Sequence, residues 1–426
     1  MKKLLSILLC TMLACSMTIF AGGKKEAATD NQNVTIKWAL WDWDSTAYYK
    51  PLIEAYEAAN PNVTIEYLDL GSTDYMTMLS IQLTGGDDSI DVVTIKDIPG
   101  YNNLVKAEQL VDLNPYIKSS GIDTSLYGGT TEQISVNNAL FGLPFRSDFW
   151  IIFYNKALFD KAGVPYPTND MTFDEYDAIA RKMTSGSGAN KVYGTHYHTW
   201  RSAVQLFGIL DGKNTIVDGN YGFLKPYYER VLNQQNDGIC QSYASLKTTS
   251  THYSGVFYNN SVATMNMGSW FIATQIDKVK SGESKSSQWG LVKYPHAPGV
   301  QPGTTLGTIT SIGVSSASKK QVAALDFVKF VSGPQGAAIL AKTGTIPAIM
   351  SDEVIKTISE KDGFPTDAAS AEALKTYKTY LEMPLHEKAG EIEVVLNAQH
   401  DNIMTKNTTV DQGIANMNKG VNDIIK

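Results

Sequence analysis

Cysteine is almost absent from this 426-residue chain. Of three, Cys10 and Cys15 fall in the first fifteen residues, and Cys240 stands alone. A lone thiol closes no internal disulfide, so folding has to rest on a buried core. An excess of basic charge is also missing, with 36 Lys and Arg against 43 Asp and Glu. Without Lys2 and Lys3 the count is 34 against 43, a formal charge of −9, and no basic stripe remains. That balance excludes nucleic acid as an expected partner and argues against an anionic membrane surface. Past the N-terminus no run is apolar and long enough to cross ~30 Å of hydrocarbon. The sequence contains no Gly-x-x-x-x-Gly-Lys-Ser/Thr loop, so the chain is not expected to hydrolyse ATP itself. There is no internal repeat and no long low-complexity tract.

The N-terminus has the layout of an export signal. Met1-Lys2-Lys3 is a basic start, Leu4 to about Ala14 is apolar, and Ile19 and Ala21 occupy the −3 and −1 positions of a cleavage site. Residues 1–21 are therefore expected to be removed, and 22–32 to form a flexible polar leader. The Met12-Leu13-Ala14-Cys15 stretch loosely resembles a lipobox, which keeps a lipid anchor at Cys15 open beside soluble export to the periplasm or cell surface. About 400 mature residues exceed one ordinary core, so two domains are expected.

Strand-like and helix-like stretches then alternate. Val34–Leu40, Val63–Leu68 and Ile90–Ile95 read as strands, with helical spacing across Ala47–Ala59 and Tyr75–Leu83. Repeated β–α–β order predicts an α/β fold with mainly parallel sheets flanked by helices. Thr172-Phe173-Asp174-Glu175, Ser318-Lys319-Lys320-Gln321 and Thr409-Val410-Asp411-Gln412 fit helix-opening capping boxes. Ile414, Met417, Val421 and Ile424 form one apolar stripe after the last of these.

The loop after the first strand reads Trp41-Asp42-Trp43-Asp44. Loops at the carboxyl ends of parallel strands form the ligand crevice of such sheets. Indole faces beside carboxylates suit a neutral, hydroxyl-rich ligand, stacking on its C–H faces while hydrogen bonds take its hydroxyls. Trp41, Trp43 and Asp44 are thus candidates, with core packing the alternative for either indole. Ser72, Thr73 and Asp74 follow the second strand, where Asp74 could equally cap a helix. Asp97 follows the third, with turn formation at Pro99-Gly100 as its alternative. Trp200 is a further candidate, close to His196 and His198. Those two histidines lack a third ligand in their neighbourhood, so no metal or other cofactor is expected.

Several motifs in order resemble the extracellular solute-binding proteins of ABC importers, the maltose-binding-like sugar-binding class. They are Glu57-Ala58-Ala59-Asn60-Pro61-Asn62-Val63, Asp91-Val92-Val93 followed by Leu110-Val111-Asp112-Leu113, and Phe141-Gly142-Leu143-Pro144 leading to Tyr154-Asn155-Lys156-Ala157-Leu158-Phe159. Ala263–Trp270 and Gly303–Ile312, followed by Ser318-Lys319-Lys320, continue the likeness over nearly the whole mature chain. The resemblance implies a two-lobed periplasmic-binding-protein fold with a hinge between the lobes. Lobe one would be 33–144 plus 290–316, and lobe two 145–289 plus 317–426. A carbohydrate, mono- or oligosaccharide, would lie between them and be delivered to a membrane permease by a monomeric, non-enzymatic binder. Trp270 would be the sugar-stacking aromatic, Arg146 and Asp148 would sit at the first hinge, and Thr305 and Gly307 would face ligand from the crossover. An interlobe salt bridge is the rival role for the Arg146–Asp148 pair. Rival functions are an extracellular glycoside hydrolase, which needs only two flanking acids, or a binder of polyamine or iron. Iron would use the Tyr227-Tyr228 or Tyr48-Tyr49 pairs, in each of which helical geometry predicts one packed and one solvent-facing ring.

Overall fold

The computed structural model describes residues 33–426 apart from positions 72, 73, 86 and 87. The expected signal, the leader, Cys15, Ser72 and Thr73 lie outside the described residues. Strand β1 (Val34–Leu40) shows how the layers arise. Ile36, Trp38 and Leu40 enter one core, while Ala39 and the following Trp41 enter another. Successive strand residues point to opposite faces, and a sheet covered on both faces leaves neither set polar. Strands β2 (Val63–Asp69) and β3 (Val92–Ile95) flank β1 in parallel, with Ile36 opposite Ile65 and Trp38 opposite Val92. Helices α1 (Tyr49–Ala59), α2 (Tyr75–Thr84) and α3 (Ile98–Lys106) follow these strands in turn. Helix α1 buries Tyr49, Leu52, Ile53 and Tyr56, the spacing of one helical face.

Two long strands carry the chain between halves of the molecule. In β4 (Leu143–Asn155), residues 143–149 pair with β7 (Thr304–Val314), and residues 150–155 pair with β5 (Thr264–Gly268) and β6 (Trp289–Val292). In β7, residues 311–314 pair with β3 and residues 304–307 with β8 (Lys378–Leu381). Side-chain parity persists across the switch. Trp150, Ile152 and Tyr154 enter one core of the second half, and Phe149, Ile151 and Phe153 enter the other. The second half also holds α4 (Phe173–Met183), α5 (Phe271–Lys280), α7 (Ala389–Met404) and α8 (Val410–Ile425); α6 (Gln321–Ser332) follows β7.

The α/β, two-lobed architecture agrees with the expectation, and three details differ. Parallel pairing holds for β1 with β2 and β3 and for β7 with β8, whereas β4 runs antiparallel to β5, β6 and β7. A strand that crosses between halves and is met by returning segments is paired antiparallel by them, which β–α–β counting cannot reveal. Second, packing departs from the expected boundaries. Ala324, Phe327, Val328 and Val331 of α6 join the first-half core, with Phe327 edge-on to Trp38 at 5.2 Å, whereas the resemblance places 317–426 in lobe two. Conversely, β6 and Leu306 pack with the second half, whereas the resemblance places 290–316 in lobe one. Third, the capping box at Thr172 forms in full, but the one at Ser318 does not. The Ser318 hydroxyl donates instead to Asp91 Oδ1 at 2.6 Å, and Lys320 Nζ reaches Asp91 Oδ2 at 3.0 Å. Asp91 is fully buried, and its carboxylate is satisfied by those donors, while the helix begins only at Gln321 with Lys320 as its N-cap.

Candidate functional site

The two halves meet at a polar chain threaded through β4. Arg146 donates to Asp148 Oδ2 at 2.6 Å and to the Tyr48 hydroxyl at 2.9 Å. Asp148 Oδ1 accepts from Ser269 Oγ at 2.8 Å, and that oxygen accepts from the Phe149 amide. Tyr48 belongs to the first-half core and Ser269 follows β5 of the second, so the ion pair joins groups from both. Burial alone would lower the Arg146 pKa. The adjoining Asp148 carboxylate and tyrosine hydroxyls outweigh it, and the guanidinium stays charged.

Beside this junction lies a cleft of about 690 Å³. From the first half it receives Lys96 and Asp97, at the carboxyl end of β3, and Thr308 from β7. From the second half it receives an aromatic wall. Trp150 stands edge-on to Trp270, ring centres 5.8 Å apart, and Trp270 lies 6.1 Å from Trp200. Trp270 is positioned by close packing on the strand before it. A Cβ on Gly268 would come within 2.0 Å of its ring, so only glycine lets the indole fold over the strand end. Polar groups line the same space. Arg201, only 4% exposed, pairs with Glu393 at 2.9 Å, and Lys247 pairs with Asp401 at 3.2 Å. A larger hollow of about 940 Å³ lies between helix Lys225–Asn236 and the turn joining α7 to α8, but it is lined by Asn236, Lys406, Asn407 and Thr408 without an aromatic ring. Of the two, the smaller cleft is the better candidate because it joins stacking surfaces to charged hydrogen-bonding groups.

Burial tunes the cleft's acids. It drives the Glu382 pKa up to about 7, with Glu393 adding to the rise and with Arg201 and the Trp150 Nε1–H donor, 2.7 Å away, opposing it. Burial also raises the Asp97 pKa, against the Gly100 amide that its carboxylate caps at 2.7 Å. Lys96 is lowered by burial, opposed by Asp97 and Asp42. Next to Trp200, burial holds His196 and His198 neutral, at about 3 and about 4. Among the described residues no group of three or more His, Cys, Asp or Glu side chains could hold a metal ion.

Of the residues expected from sequence, Asp97, Trp200 and Trp270 line this cleft together. Trp41 is buried behind it, against Tyr75 at 4.9 Å, with Lys96 Nζ 5.4 Å from its ring. Trp43 turns the other way and stacks on Tyr67 at 3.8 Å. Its amide donates to Asp69, and Asp42 at φ 52° makes the sharp turn that separates the two indoles. Asp44 and Asp74 are exposed and are not among the cleft-lining residues, and Asp74 makes no side-chain cap on α2. Arg146 and Asp148 form the junction described above. Thr305 and Gly307 lie within the strand ladder rather than on the cleft wall. Thr305 Oγ1 donates to the Trp150 carbonyl, and a Cβ at Gly307 would meet the Asp148 carbonyl at 2.7 Å. Tyr48 and Tyr49 are both buried, against the expected split, because Tyr48 serves Arg146. Tyr228 packs against His400 and accepts from Gln205, so its hydroxyl is occupied. Sequence reading missed Trp150, hidden in an apolar strand run, and the charges on α7. The signal for the latter was present: Glu393, Asn397 and Asp401 recur every fourth residue.

This arrangement, a cleft between two α/β halves joined by crossing strands, defines a ligand-binding protein of the two-lobed kind. Residues 42–338 match the family described as bacterial extracellular solute-binding protein, and the chain belongs to that family. A lactose-binding protein from Rhizobium radiobacter is 24% identical over 372 residues, covering 83% of this chain and 81% of that one. A sugar transporter from Rhizobium etli, solved in an open conformation, is 58% identical, with a TM-score of 0.84 over 91% of this chain and 99% of that one. An ABC substrate-binding protein from Listeria monocytogenes in complex with cycloalternan shares the fold at 21% identity and a TM-score of 0.79, over 92% and 99% of the two chains. The family is one of solute binders rather than of enzymes, and its members are extracellular.

Proposed function

We propose that this chain captures a carbohydrate in the cleft and delivers it to the membrane permease of an ABC importer. The observation that carries the reading is the indole wall of Trp150, Trp270 and Trp200 facing the same space as the Arg201–Glu393 and Lys247–Asp401 pairs. Indole faces bury a sugar's C–H patches, and paired charges both donate to and accept from hydroxyls without requiring a net charge on the ligand. The lactose and cycloalternan named for the relatives agree with that chemistry. Asp97, Trp200 and Trp270 are the contact residues we assign from the sequence reading, with Lys96, Arg201 and Glu393 added. Closure would turn on β4, β7 and β8, with ligand drawing the two halves together by binding the closed state better. The protein acts as a monomer and leaves its ligand chemically unchanged. Export through residues 1–21 belongs to the same reading, and the mass of the mature protein distinguishes cleavage after Ala21 from lipidation at Cys15.

The carboxylates Asp97, Glu382, Glu393 and Asp401 beside indoles favour a second reading, an organic cation such as a polyamine. Lys96, Arg201 and Lys247 on the same walls weigh against it. Intrinsic tryptophan fluorescence, titrated with saccharides, amino acids and polyamines, separates the two. A response to polyamine without one to any saccharide would overturn the carbohydrate reading, and so would catalytic hydrolysis of a bound oligosaccharide.

A further inference from the structure

The polar and aromatic groups of the cleft form two rows that run the same way. Along the first, exposure rises from 1% at Trp150 to 38% at Trp200, so the row of indoles leads from the interior toward solvent. The second row is one face of α7. Glu393, Asn397 and Asp401 line the cleft at four-residue spacing, which spreads them over about 12 Å of helix. The ends of the rows correspond. At the inner end Trp150 donates to Glu382, and the charges of Arg201 and Glu393 both act on that carboxyl. At the outer end the Tyr243 hydroxyl lies within hydrogen-bonding reach of both the Asp401 carboxylate and the carbonyl of Thr199, the residue before Trp200. Each end therefore has its own indole and its own ion pair, Arg201–Glu393 inside and Lys247–Asp401 outside. Arg201 also keeps a buried Nε–H without a protein partner, a donor left over on a residue of the inner wall.

We infer that the cleft is built for an oligosaccharide of two or more rings, with an inner subsite at Trp150, Glu382 and Arg201 and an outer one at Trp200, Lys247 and Asp401. This rests on the carbohydrate reading above. A single pyranose stacks on one indole and reaches one polar cluster, leaving the other indole and its ion pair without a ligand group to replace the water that closure removes. A chain of rings satisfies both, and a volume of about 690 Å³ lies within the ~300–1,000 Å³ of sites that enclose drug-sized ligands.

The test is calorimetry on the full mature chain with matched series: glucose, maltose and maltotriose; mannose, mannobiose and mannotriose; galactose and lactose. In the series that binds, the two- or three-ring member is expected to bind at least tenfold more tightly than its monosaccharide. Asp401→Asn should lower oligosaccharide affinity about tenfold while leaving monosaccharide affinity unchanged. Asn397→Ala, at an exposed position where truncation costs little stability, should act in the same direction more weakly. A monosaccharide bound as tightly as its oligomers overturns the two-subsite inference and leaves the carbohydrate reading standing. Equal losses for short and long ligands in both variants do the same. No heat with any saccharide removes both.

Discussion

Single residues show how much of the site depends on what lies behind it. Trp270 reaches the cleft only because Gly268 has no side chain, since even one methyl group would occupy the indole's position. Gly268→Ala is expected to displace that ring, change the tryptophan emission and weaken saccharide binding at least tenfold, about 1.4 kcal/mol, while far-UV circular dichroism stays native. Unchanged affinity would mean that Trp270 does not touch ligand. Asp91 plays a comparable part far from the cleft. Its buried carboxylate accepts from the Lys37 amide, Ser318 and Lys320, tying β1 and β3 to the segment that opens α6. Asp91→Ala leaves an amide and a hydroxyl unsatisfied, and should cost about 2–3 kcal/mol, read as a lower urea midpoint with binding retained.

At the level of elements, β4 and β7 do two jobs, since each is a core strand in one half and a connector to the other. The Arg146–Asp148 pair sits where β4 changes partners. Arg146→Met leaves the Asp148 carboxylate buried with only Ser269 for company, and is expected to destabilise the protein by about 3–5 kcal/mol. Asp148→Asn keeps an acceptor for Arg146 but strands its charge, and should cost nearly as much; a much smaller loss in urea melts would argue against a charge-based role. Much of this layer was legible in the sequence. The strands β1 to β3 follow from short apolar runs and the helices between them from helical spacing, and the Thr172 capping box from four residues. What was not legible depends on distant partners. Strand parity would put Trp41 and Trp43 on one face, but the left-handed turn at Asp42 sends them to different surroundings, and nothing local distinguishes two indoles in a four-residue loop. Trp150 reads as core because five apolar neighbours surround it, yet Glu382, 232 residues later, meets its indole N–H. Ser318 fits a cap by pattern, but its hydroxyl is held by Asp91, 227 residues away, and the helix starts only at Gln321.

Across the whole molecule, the buried imidazoles set the response to acid. His196, His198 and His400 are held at about 3, about 4 and about 3, in each case chiefly because burial disfavours the cation. The unfolded chain takes up these protons near pH 6.5, so between about 6.5 and 4 it binds more protons than the folded chain, and stability falls as pH falls. Each group contributes about 1.4 kcal/mol per pH unit once its unfolded form is protonated. Glu382 works in the other direction. Its folded value of about 7 lies above the carboxylate range, so the folded chain takes up that proton first, and acidification from 7 toward 4.5 offsets one of the three histidines. From these four groups the expected slope near pH 5 is therefore about 2.7 kcal/mol per unit. Urea midpoints collected from pH 7.5 to 4.5 measure it directly. His400→Gln should flatten the slope by about 1.4 kcal/mol per unit, and Glu382→Gln should steepen it by a similar amount. A slope that neither substitution alters would place acid sensitivity in other groups, such as the paired surface carboxylates, and would leave these buried imidazoles without a part in it.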